Sequence, residues 1–353
     1  YRIAICGEAP GRDEELQGKP FVGMSGRFLD GLLSKLNIMR QCCFVGNICQ
    51  VRPPMNDISK FDLDGPQITS GLQLLQADLQ QFNPNICVLL GKTALWAAMG
   101  VKNIGDWRGS YFISQRQGPF FGRKCIASYH PAYCLRQYEW TPLLTFDLRK
   151  AIREASTPHL TLPVRNLVTN LSFAQLLDEL NRIVATKPAI SCDIEGGVNS
   201  MSCISLAISP MYSVLVPFTD LLGNSTWSVD EEVQIWWRLA QIMADSSIPK
   251  AWQHGLYDRF ILQHSYKCVV RGNKDDIMLK HWELYCELEK NLGLQASLYT
   301  DEQYYKFERK STSQEEFYRY CCKDSAVTYE INEKLEKFLD AGQKAHYKFN
   351  NEV

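Results

Sequence analysis

The first 155 residues alternate between strand-like and helix-like segments, and this alternation limits the folds that the chain can adopt. Apolar runs such as "YRIAIC", "CCFVGNI", "NICVLLG" and "RKCIASY" are separated by amphipathic stretches such as "GRFLDGLLSKL" and "SGLQLLQADLQQF". Such alternation predicts an α/β fold in which helices cover a mainly parallel sheet. Ligands bind open sheets of this kind in the loops after the carboxyl ends of the strands. We therefore expect a binding site in the Gly-, Pro- and Asn-bearing loops that follow these strands.

The chain is too long for one hydrophobic core, so its 353 residues predict two domains. The segment "STPHLTLPVRNLVTN" interrupts the helical periodicity with two prolines, which predicts a linker at residues 156–170. We expect a first domain at residues 1–155 and a second at residues 171–353. In the second, "KPAISCDIEGG" reads as a strand, and the next two apolar runs read as antiparallel neighbours. These runs predict a mixed sheet followed by long helices.

The loop after the first strand, "GEAPGRDEELQGKPFVGMSG", combines glycines and prolines with several carboxylates. A phosphate cradle would need G-x-G-x-x-G or G-x-x-x-x-G-K-[ST], and neither pattern is present in the loop. Glu8, Asp13, Glu14 and Glu15 would also repel a phosphate unless a cation lay between them. The loop is therefore not predicted to bind a nucleotide phosphate.

Several carboxylates of the second domain have spacings that would bring them together. Asp193 and Glu195 are two residues apart on a predicted strand, so both project from one face. Asp258 begins a predicted helix, and Tyr320 and Asp324 are four residues apart on one helix face. Carboxylates that converge repel one another without a cation, and ligand sets made only of oxygen favour Mg²⁺ or Mn²⁺. The pattern predicts a divalent metal site, although Asp193 and Glu195 alone would be ordinary strand residues.

This order of residues, D-x-E, then Y-D, then Y-x-x-x-D, resembles the DEDDy branch of 3′–5′ exonucleases over about residues 186–340. The resemblance implies a ribonuclease-H-like mixed sheet and two metal ions. It assigns the metal ligands as Asp193, Glu195, Asp258 and Asp324, and it makes Tyr320 the residue that orients the attacking water. One position departs from the family, because His254 stands where the second motif usually carries Asn. The segment between the second and third motifs is similar to the proofreading domains of phage family A DNA polymerases.

Four stretches of the first domain, "GEAPGRDEELQGKPFVGMSG", "GNICQVRPPMN", "VLLGKTALWAAMG" and "SYHPAYCLR", together resemble the uracil-DNA glycosylase superfamily, and its family 4 branch in particular. The resemblance implies an α/β/α sandwich whose opening loop forms a base pocket. In that pocket Phe21 would stack on a flipped uracil, and Asn47 would read its N3 and O4 edge. Glu8 would act on the water or the cationic sugar, and His130 would donate to O2 as the base leaves. Taken singly, Phe21 could be a core aromatic, Asn47 a turn residue and His130 a helix-start residue.

Family 4 enzymes hold an iron–sulfur cluster through four cysteines, and this chain departs from that ligand set. Two of the ligands would precede the first strand. The third would lie at Val51 and the fourth near Gly71, and neither residue is a cysteine. Cys49 is two residues out of register with the third position. Ligation by thiolates needs all four cysteines, so we expect no iron–sulfur cluster.

Together the two resemblances predict the proofreading part of a phage-type family A DNA polymerase, with a polymerase domain C-terminal to this chain. DNA is the expected partner, as single-stranded 3′ ends and primer–template, and no membrane partner is expected. The first domain could excise uracil, sense uracil or another modified base, or serve only as an inert spacer or a surface for a replisome partner. The thirteen cysteines include no C-x-x-C pair and read as buried thiols, which favours a reducing cytoplasm, that of the bacterial host if a phage encodes the chain.

Overall fold

The computed structural model describes residues 2–198, 200–272 and 274–352. The chain divides into two compact units, Tyr1–Leu162 and Pro163–Val353. This boundary falls inside the segment 156–170 that was predicted as a linker, and part of that segment forms a strand of the second unit, Asn166–Val168.

The described part of the first unit forms a five-stranded sheet with strand order β2-β1-β3-β5-β4, in which only β4 runs antiparallel to its neighbour. Its strands are β1 Ile3–Gly7, β2 Phe44–Asn47, β3 Ile86–Leu90, β4 Tyr111–Ile113 and β5 Lys124–Ser128. Its α-helices are α1 Arg12–Gln17, α2 Met24–Lys35, α3 Pro66–Phe82, α4 Lys92–Met99, α5 Ile104–Trp107, α6 Pro131–Arg136 and α7 Thr141–Glu154. Short 3₁₀ segments lie at Arg40–Cys42, Pro54–Asn56, Ile58–Lys60 and Tyr138–Trp140.

Both faces of this first sheet are buried, which explains why its strands read as continuous apolar runs. Alternate residues of β1 point to opposite faces, so Ala4 and Cys6 join one core and Ile3 and Ile5 join the other. Helices α3 and α4 cover the first face, and α2 and α7 cover the second. The predicted α/β/α sandwich with a mainly parallel sheet is confirmed.

The described part of the second unit forms a six-stranded mixed sheet with strand order β11-β10-β7-β8-β9-β6. Its strands are β6 Asn166–Val168, β7 Ile190–Gly197, β8 Ser200–Ser209, β9 Tyr212–Pro217, β10 Lys250–Trp252 and β11 Lys274–Asp276. Its α-helices are α8 Phe173–Thr186, α9 Val229–Ala244, α10 Gly255–Tyr266, α11 Ile277–Leu284, α12 Leu292–Tyr299, α13 Gln314–Phe338 and α14 Ala341–Glu352, and a 3₁₀ segment lies at Lys306–Lys310. β7, β8 and β9 pair antiparallel, as the sequence predicted.

Small polar residues let the long helix α13 lie close against one face of the second sheet. Ser191 donates to the carbonyl of Ser325, Ser205 donates to the carbonyl of Cys321 at 2.8 Å, and the hydroxyls of Ser213 and Ser325 are 2.8 Å apart. The opposite face packs on α8 and α9 through an apolar core. α13 therefore covers the face of β7 that carries every second residue after Ser191, including positions 193 and 195. None of the described helices combines the length and apolarity needed to cross a membrane.

Candidate active sites

The loops that follow strands β1, β2, β3 and β5 line one cavity of about 780 Å³ in the first unit. Gly7 at the end of β1 is in register with Asn47 at the end of β2, so these two loops leave the sheet side by side. Glu8, Phe21, Asn47 and His130 all line this cavity. The structure thus brings together the two residues that the sequence proposed for base binding, Phe21 and Asn47, and the two proposed for catalysis, Glu8 and His130.

Phe21 is held in an unusual backbone conformation beneath this cavity. Its φ of 54° lies in the left-handed region that a bulky side chain rarely adopts. The Arg40 guanidinium donates to the carbonyls of Pro20 and Phe21 at 2.7 and 2.8 Å. The Phe21 ring is buried and stacks on the His130 imidazole, with 5.6 Å between the ring centroids. A strained residue that its surroundings hold in place is typical of a binding site.

Glu14 connects the loop that carries Glu8 to the loop that carries Phe21. Its carboxylate is buried and accepts hydrogen bonds from the backbone amides of Gly11 at 3.2 Å, Val22 at 3.1 Å and Gly23 at 2.8 Å. One member of the acidic loop therefore serves as an internal clamp between the two loops. Sequence reasoning missed this role, although a Glu three residues after an N-cap residue is placed to accept from the N-cap backbone amide, as Glu14 does from Gly11.

His130 is neutral at pH 7, with its proton on Nε2. Burial, and to a smaller extent the nearby charge of Arg136, lower the pKa of His130 to about 4. His130 is the N-cap of α6, and its Nδ1 accepts from the backbone amide of Ala132 at 3.1 Å. A neutral imidazole that accepts at one nitrogen donates at the other. His130 can therefore offer an N–H to a carbonyl oxygen of a base in the cavity.

Glu8 and Asn47 complete the polar lining. The Thr93 hydroxyl, in the first turn of α4, donates to Glu8 Oε2 at 2.5 Å and fixes the carboxylate at the cavity wall. Asn47 is buried, and a Cβ at Gly7 would come within 2.7 Å of its Oδ1 and 2.5 Å of the Phe21 ring, so only glycine fits there. Lys92 and Arg136 also line the cavity and place positive charge at its wall.

The residues present do not fit an iron–sulfur cluster. A side chain at Gly71 has no room, because its Cβ would lie 2.2 Å from the carbonyl oxygen of Ile48. The Cys49 thiol is buried and directed at the carbonyl oxygen of Val51, 3.2 Å away. Among the described residues, the His, Cys, Asp and Glu side chains suitably spaced for a metal ion form one group, and that group lies in the second unit.

That group consists of Asp193, Glu195 and Asp324, each of which offers one carboxylate oxygen within 4.8 Å of the others. Asp193 and Glu195 lie on one face of β7, and Asp324 lies on α13, which covers that face. Asp193 Oδ2 is buried without a hydrogen-bond partner among the described residues. A buried carboxylate oxygen that lacks a donor and lies beside two more carboxylates suits a bound cation.

The pKa values of these carboxyl groups are raised, chiefly by burial. Burial, followed by repulsion from Asp324 and Glu195, raises the pKa of Asp193 well above its usual range. Burial raises the pKa of Glu195 to about 7, against the opposing charge of Arg309. Burial also raises the pKa of Asp258 to about 7. A divalent cation would reverse these shifts by stabilising the ionised carboxylates.

Asp258 lies on α10 close enough for its charge to act on Asp193, yet it is not one of the three carboxylates of the close group. Asp276 holds the start of α10 through the backbone amides of His254 at 3.1 Å and Gly255 at 2.9 Å. His254 itself is exposed and left-handed, with a φ of 58°. Asn and His are both enriched in that conformation, which explains how His can replace Asn at this position.

Sequence reasoning missed three residues that contact this second site. The Lys306 ammonium donates to both oxygens of Asp324, at 2.7 and 2.6 Å, and to the Tyr320 hydroxyl at 3.1 Å. The buried Tyr305 hydroxyl donates to Asp324 Oδ1 at 2.6 Å. Arg309 lies 3.5 Å from Glu195. The basic and aromatic run "QYYKFERK" was the available signal, but spacing alone does not show that it returns to the carboxylates.

Comparisons with known proteins give the following likenesses. Residues 1–155 match the sequence profile of the uracil DNA glycosylase superfamily. Type-4 uracil-DNA glycosylase of Thermotoga maritima is 32% identical over 161 residues, covering 42% of this chain and 76% of that protein. Its counterpart from Saccharolobus solfataricus is 31% identical over 168 residues, covering 45% and 74%. Among solved structures, Escherichia coli RNase D, an exoribonuclease involved in structured RNA processing, is similar with a TM-score of 0.38 and 17% identity, over 48% of this chain and 44% of that one. The chain thus spans less than half the length of that structure.

Proposed function

The chain belongs, through residues 1–155, to the uracil DNA glycosylase superfamily, and from this premise we propose that it is a DNA enzyme with two sites. In this proposal the second unit is a metal-dependent 3′–5′ exonuclease, the proofreading part of a phage-type family A DNA polymerase that acts in the cytoplasm. The first unit recognises uracil or a modified base in DNA, and either excises it or senses it.

The observation that supports the nuclease is the close group of Asp193, Glu195 and Asp324, with a buried oxygen of Asp193 that lacks a donor. These residues, with Asp258 beside them, would hold Mg²⁺ or Mn²⁺. Two such ions would stabilise the attacking and the leaving oxygen of a phosphodiester displacement. The ligand set contains only oxygen, which suits these cations.

Tyr320 is the residue best placed to orient the attacking water. It lies one helical turn before Asp324 on α13, and its hydroxyl is 3.1 Å from the Lys306 ammonium. Burial, followed by the charge of Asp324, raises the pKa of Tyr320 well above its usual range. The hydroxyl therefore keeps its proton at neutral pH. It positions a water by hydrogen bonding and does not act as a general base.

In the first unit, the support for base recognition is that Glu8, Phe21, Asn47 and His130 line one cavity. The Asn47 amide can donate to uracil O4 and accept from N3–H. His130 Nε2–H can donate to O2, where negative charge develops as the base leaves. Glu8, held by Thr93, faces the same space and can stabilise a cationic sugar or a water.

The nuclease is tested on single-stranded DNA labelled at its 5′ end. We expect Mg²⁺ or Mn²⁺ to support shortening from the 3′ end, and Asp193→Asn or Asp324→Asn to remove nearly all cleavage. Asp178→Asn, which changes an exposed aspartate of α8, is the matched control and should cut like the wild type. Full activity in EDTA, or in the double variant Asp193→Asn and Asp324→Asn, would refute the assignment.

Base recognition is tested in EDTA, where the nuclease is inactive. Uracil-containing single strands should bind more tightly than cytosine-containing ones at the same salt concentration, since cytosine mismatches both contacts of the Asn47 amide and each mismatch costs about 1–3 kcal/mol. Asn47→Ala and Phe21→Ala should each erase this preference. Alkali-labile abasic sites would show excision, and binding without them would show sensing. Equal affinity for both strands, unaffected by either variant, would instead indicate an inert DNA- or replisome-binding module.

A further inference from the structure

The three carboxylates of the second site, Asp193, Glu195 and Asp324, already have a positively charged side chain among them. Lys306 Nζ lies 2.7 and 2.6 Å from the two oxygens of Asp324, and it also lies 4.9 Å from the centroid of the Tyr320 ring. The Lys306 side chain is 21% exposed and that of Asp324 is 5% exposed, so the pair is largely shielded from water. Shielding strengthens the attraction between the two charges relative to that of an exposed ion pair.

Asp324 and Asp193 differ in the hydrogen-bond donors that their carboxylate oxygens have. Lys306 and the Tyr305 hydroxyl together use both oxygens of Asp324. Asp193 Oδ2 is buried beside them without a donor from the described residues. Three of the roughly four lone pairs of the Asp324 carboxylate are thus in use, so a divalent cation that bound it would compete with Lys306 for its oxygens and would be repelled by the ammonium charge.

We propose that Lys306 is an internal cation that occupies a divalent-cation position at Asp324, so that its release is required for metal binding and its charge sets the metal affinity of the site. Lys306 is thus a positioning residue for Asp324. This inference rests on the proposed function, because it takes the carboxylate group to be the metal site.

The local structure is suited to such an exchange. Lys306 begins the short 3₁₀ segment Lys306–Lys310, in a connection between α12 and α13. The same segment brings Arg309 to Glu195, with a side chain that is 65% exposed. The segment is attached to α13 through Glu308 and Lys323, 2.9 Å apart, so a change at Lys306 need not detach it. A lysine stem has several rotatable bonds, so the ammonium can leave Asp324 without displacing the backbone.

The test measures Mn²⁺ binding to the full chain without DNA, by the loss of the free-ion electron paramagnetic resonance signal. Lys306→Met should bind the first Mn²⁺ about tenfold or more tightly than the wild type, because it removes both the competitor and its repulsion. Lys306→Arg keeps the charge and should stay much nearer the wild type. Lys310→Met, an exposed lysine at the other end of the same segment, is the matched control and should not change the affinity.

Equal or weaker Mn²⁺ binding by Lys306→Met, with an unchanged circular dichroism spectrum, would overturn the inference. The same holds if cleavage falls while Mn²⁺ affinity is unchanged, because Lys306 would then act on the DNA phosphate. Failure of the proposed function is a separate result. A wild-type chain that binds Mn²⁺ through Asp324 but shortens no DNA contradicts the exonuclease proposal and leaves the role of Lys306 in metal binding intact.

Discussion

Two glycines of helix α2, the buried Gly26 and the exposed Gly31, differ in what a methyl group would meet, and they test whether the backbone of Phe21 forms the base site. A Cβ at Gly26 would lie 1.9 Å from the carbonyl oxygen of Phe21 and 2.1 Å from its carbonyl carbon, whereas a Cβ at Gly31 has nothing within 4 Å. Because Arg40 holds the Phe21 carbonyl, the contact at Gly26 can be relieved only by moving the left-handed turn or the start of the helix. The required shift is more than about 1 Å, since non-bonded carbon atoms pack at about 3.5–4.0 Å.

The two substitutions should change the free energy of unfolding in opposite directions. Gly31→Ala should stabilise the chain by about 0.5–1 kcal/mol, because alanine is the better helix former at an exposed position. Gly26→Ala also introduces the better helix former, but the overpacked methyl group should destabilise the chain by about 1–3 kcal/mol or more. It should also displace the Phe21 ring and lose stacking of about 1–3 kcal/mol per base, which is roughly a 5- to 150-fold weakening of uracil binding.

Both variants can be measured by urea unfolding followed by circular dichroism, and by titration of uracil- and cytosine-containing single strands in EDTA. Gly31→Ala should keep the uracil preference of the wild type, and Gly26→Ala should lose it. The reasoning fails if Gly26→Ala is as stable as Gly31→Ala and discriminates uracil equally well. In that case the close contact between helix α2 and Phe21 would not control the base site.

Three further predictions concern pH, the nuclease step and iron. Because the pKa of His130 falls from 6.5 to about 4 on folding, its contribution to stability is complete above pH 6.5 and is lost as the pH falls toward 4. This residue should therefore lower the free energy of unfolding by about 2 kcal/mol between pH 7 and pH 5. His130→Asn can cap α6 without titrating, so it should remove that part of the pH dependence when unfolding by urea is measured at both pH values. Tyr320→Phe should slow single-turnover cleavage by about 10²–10⁴-fold, which is less than the effect of Asp193→Asn, because it removes one positioned hydroxyl and leaves the carboxylates in place. A wild-type rate would mean that another residue orients the water. Purified protein should contain no stoichiometric iron by elemental analysis, because Val51 and Gly71 replace two thiolate ligands; iron at four atoms per chain would contradict this.

The identity of the helices and strands was largely accessible from local spacing. The continuous apolar run of β1 and the helical pattern of α2 and α3 follow from local backbone geometry and burial, so they can be read without knowledge of the rest of the chain. The same geometry indicated that Asp193 and Glu195 share one face of β7 and that Tyr320 and Asp324 share one face of α13. The parallel sheet predicted in turn that the loops after β1, β2 and β5 would meet, as they do at the 780 Å³ cavity.

The tertiary structure decided which groups contact one another across long stretches of sequence. Glu14 was counted among the carboxylates that would repel a phosphate, but it is a buried clamp for the amides beside Phe21. Asp258 was expected among the metal ligands and lies beside the close group of three. Lys306 had no assigned role, yet it donates to both oxygens of Asp324. The sequence by itself determined on which face of its strand or helix each candidate residue lies, because side-chain direction is a local property of the backbone. Only the folded chain decided which charge lies against which carboxylate, because that depends on how distant segments pack and on how much water they exclude.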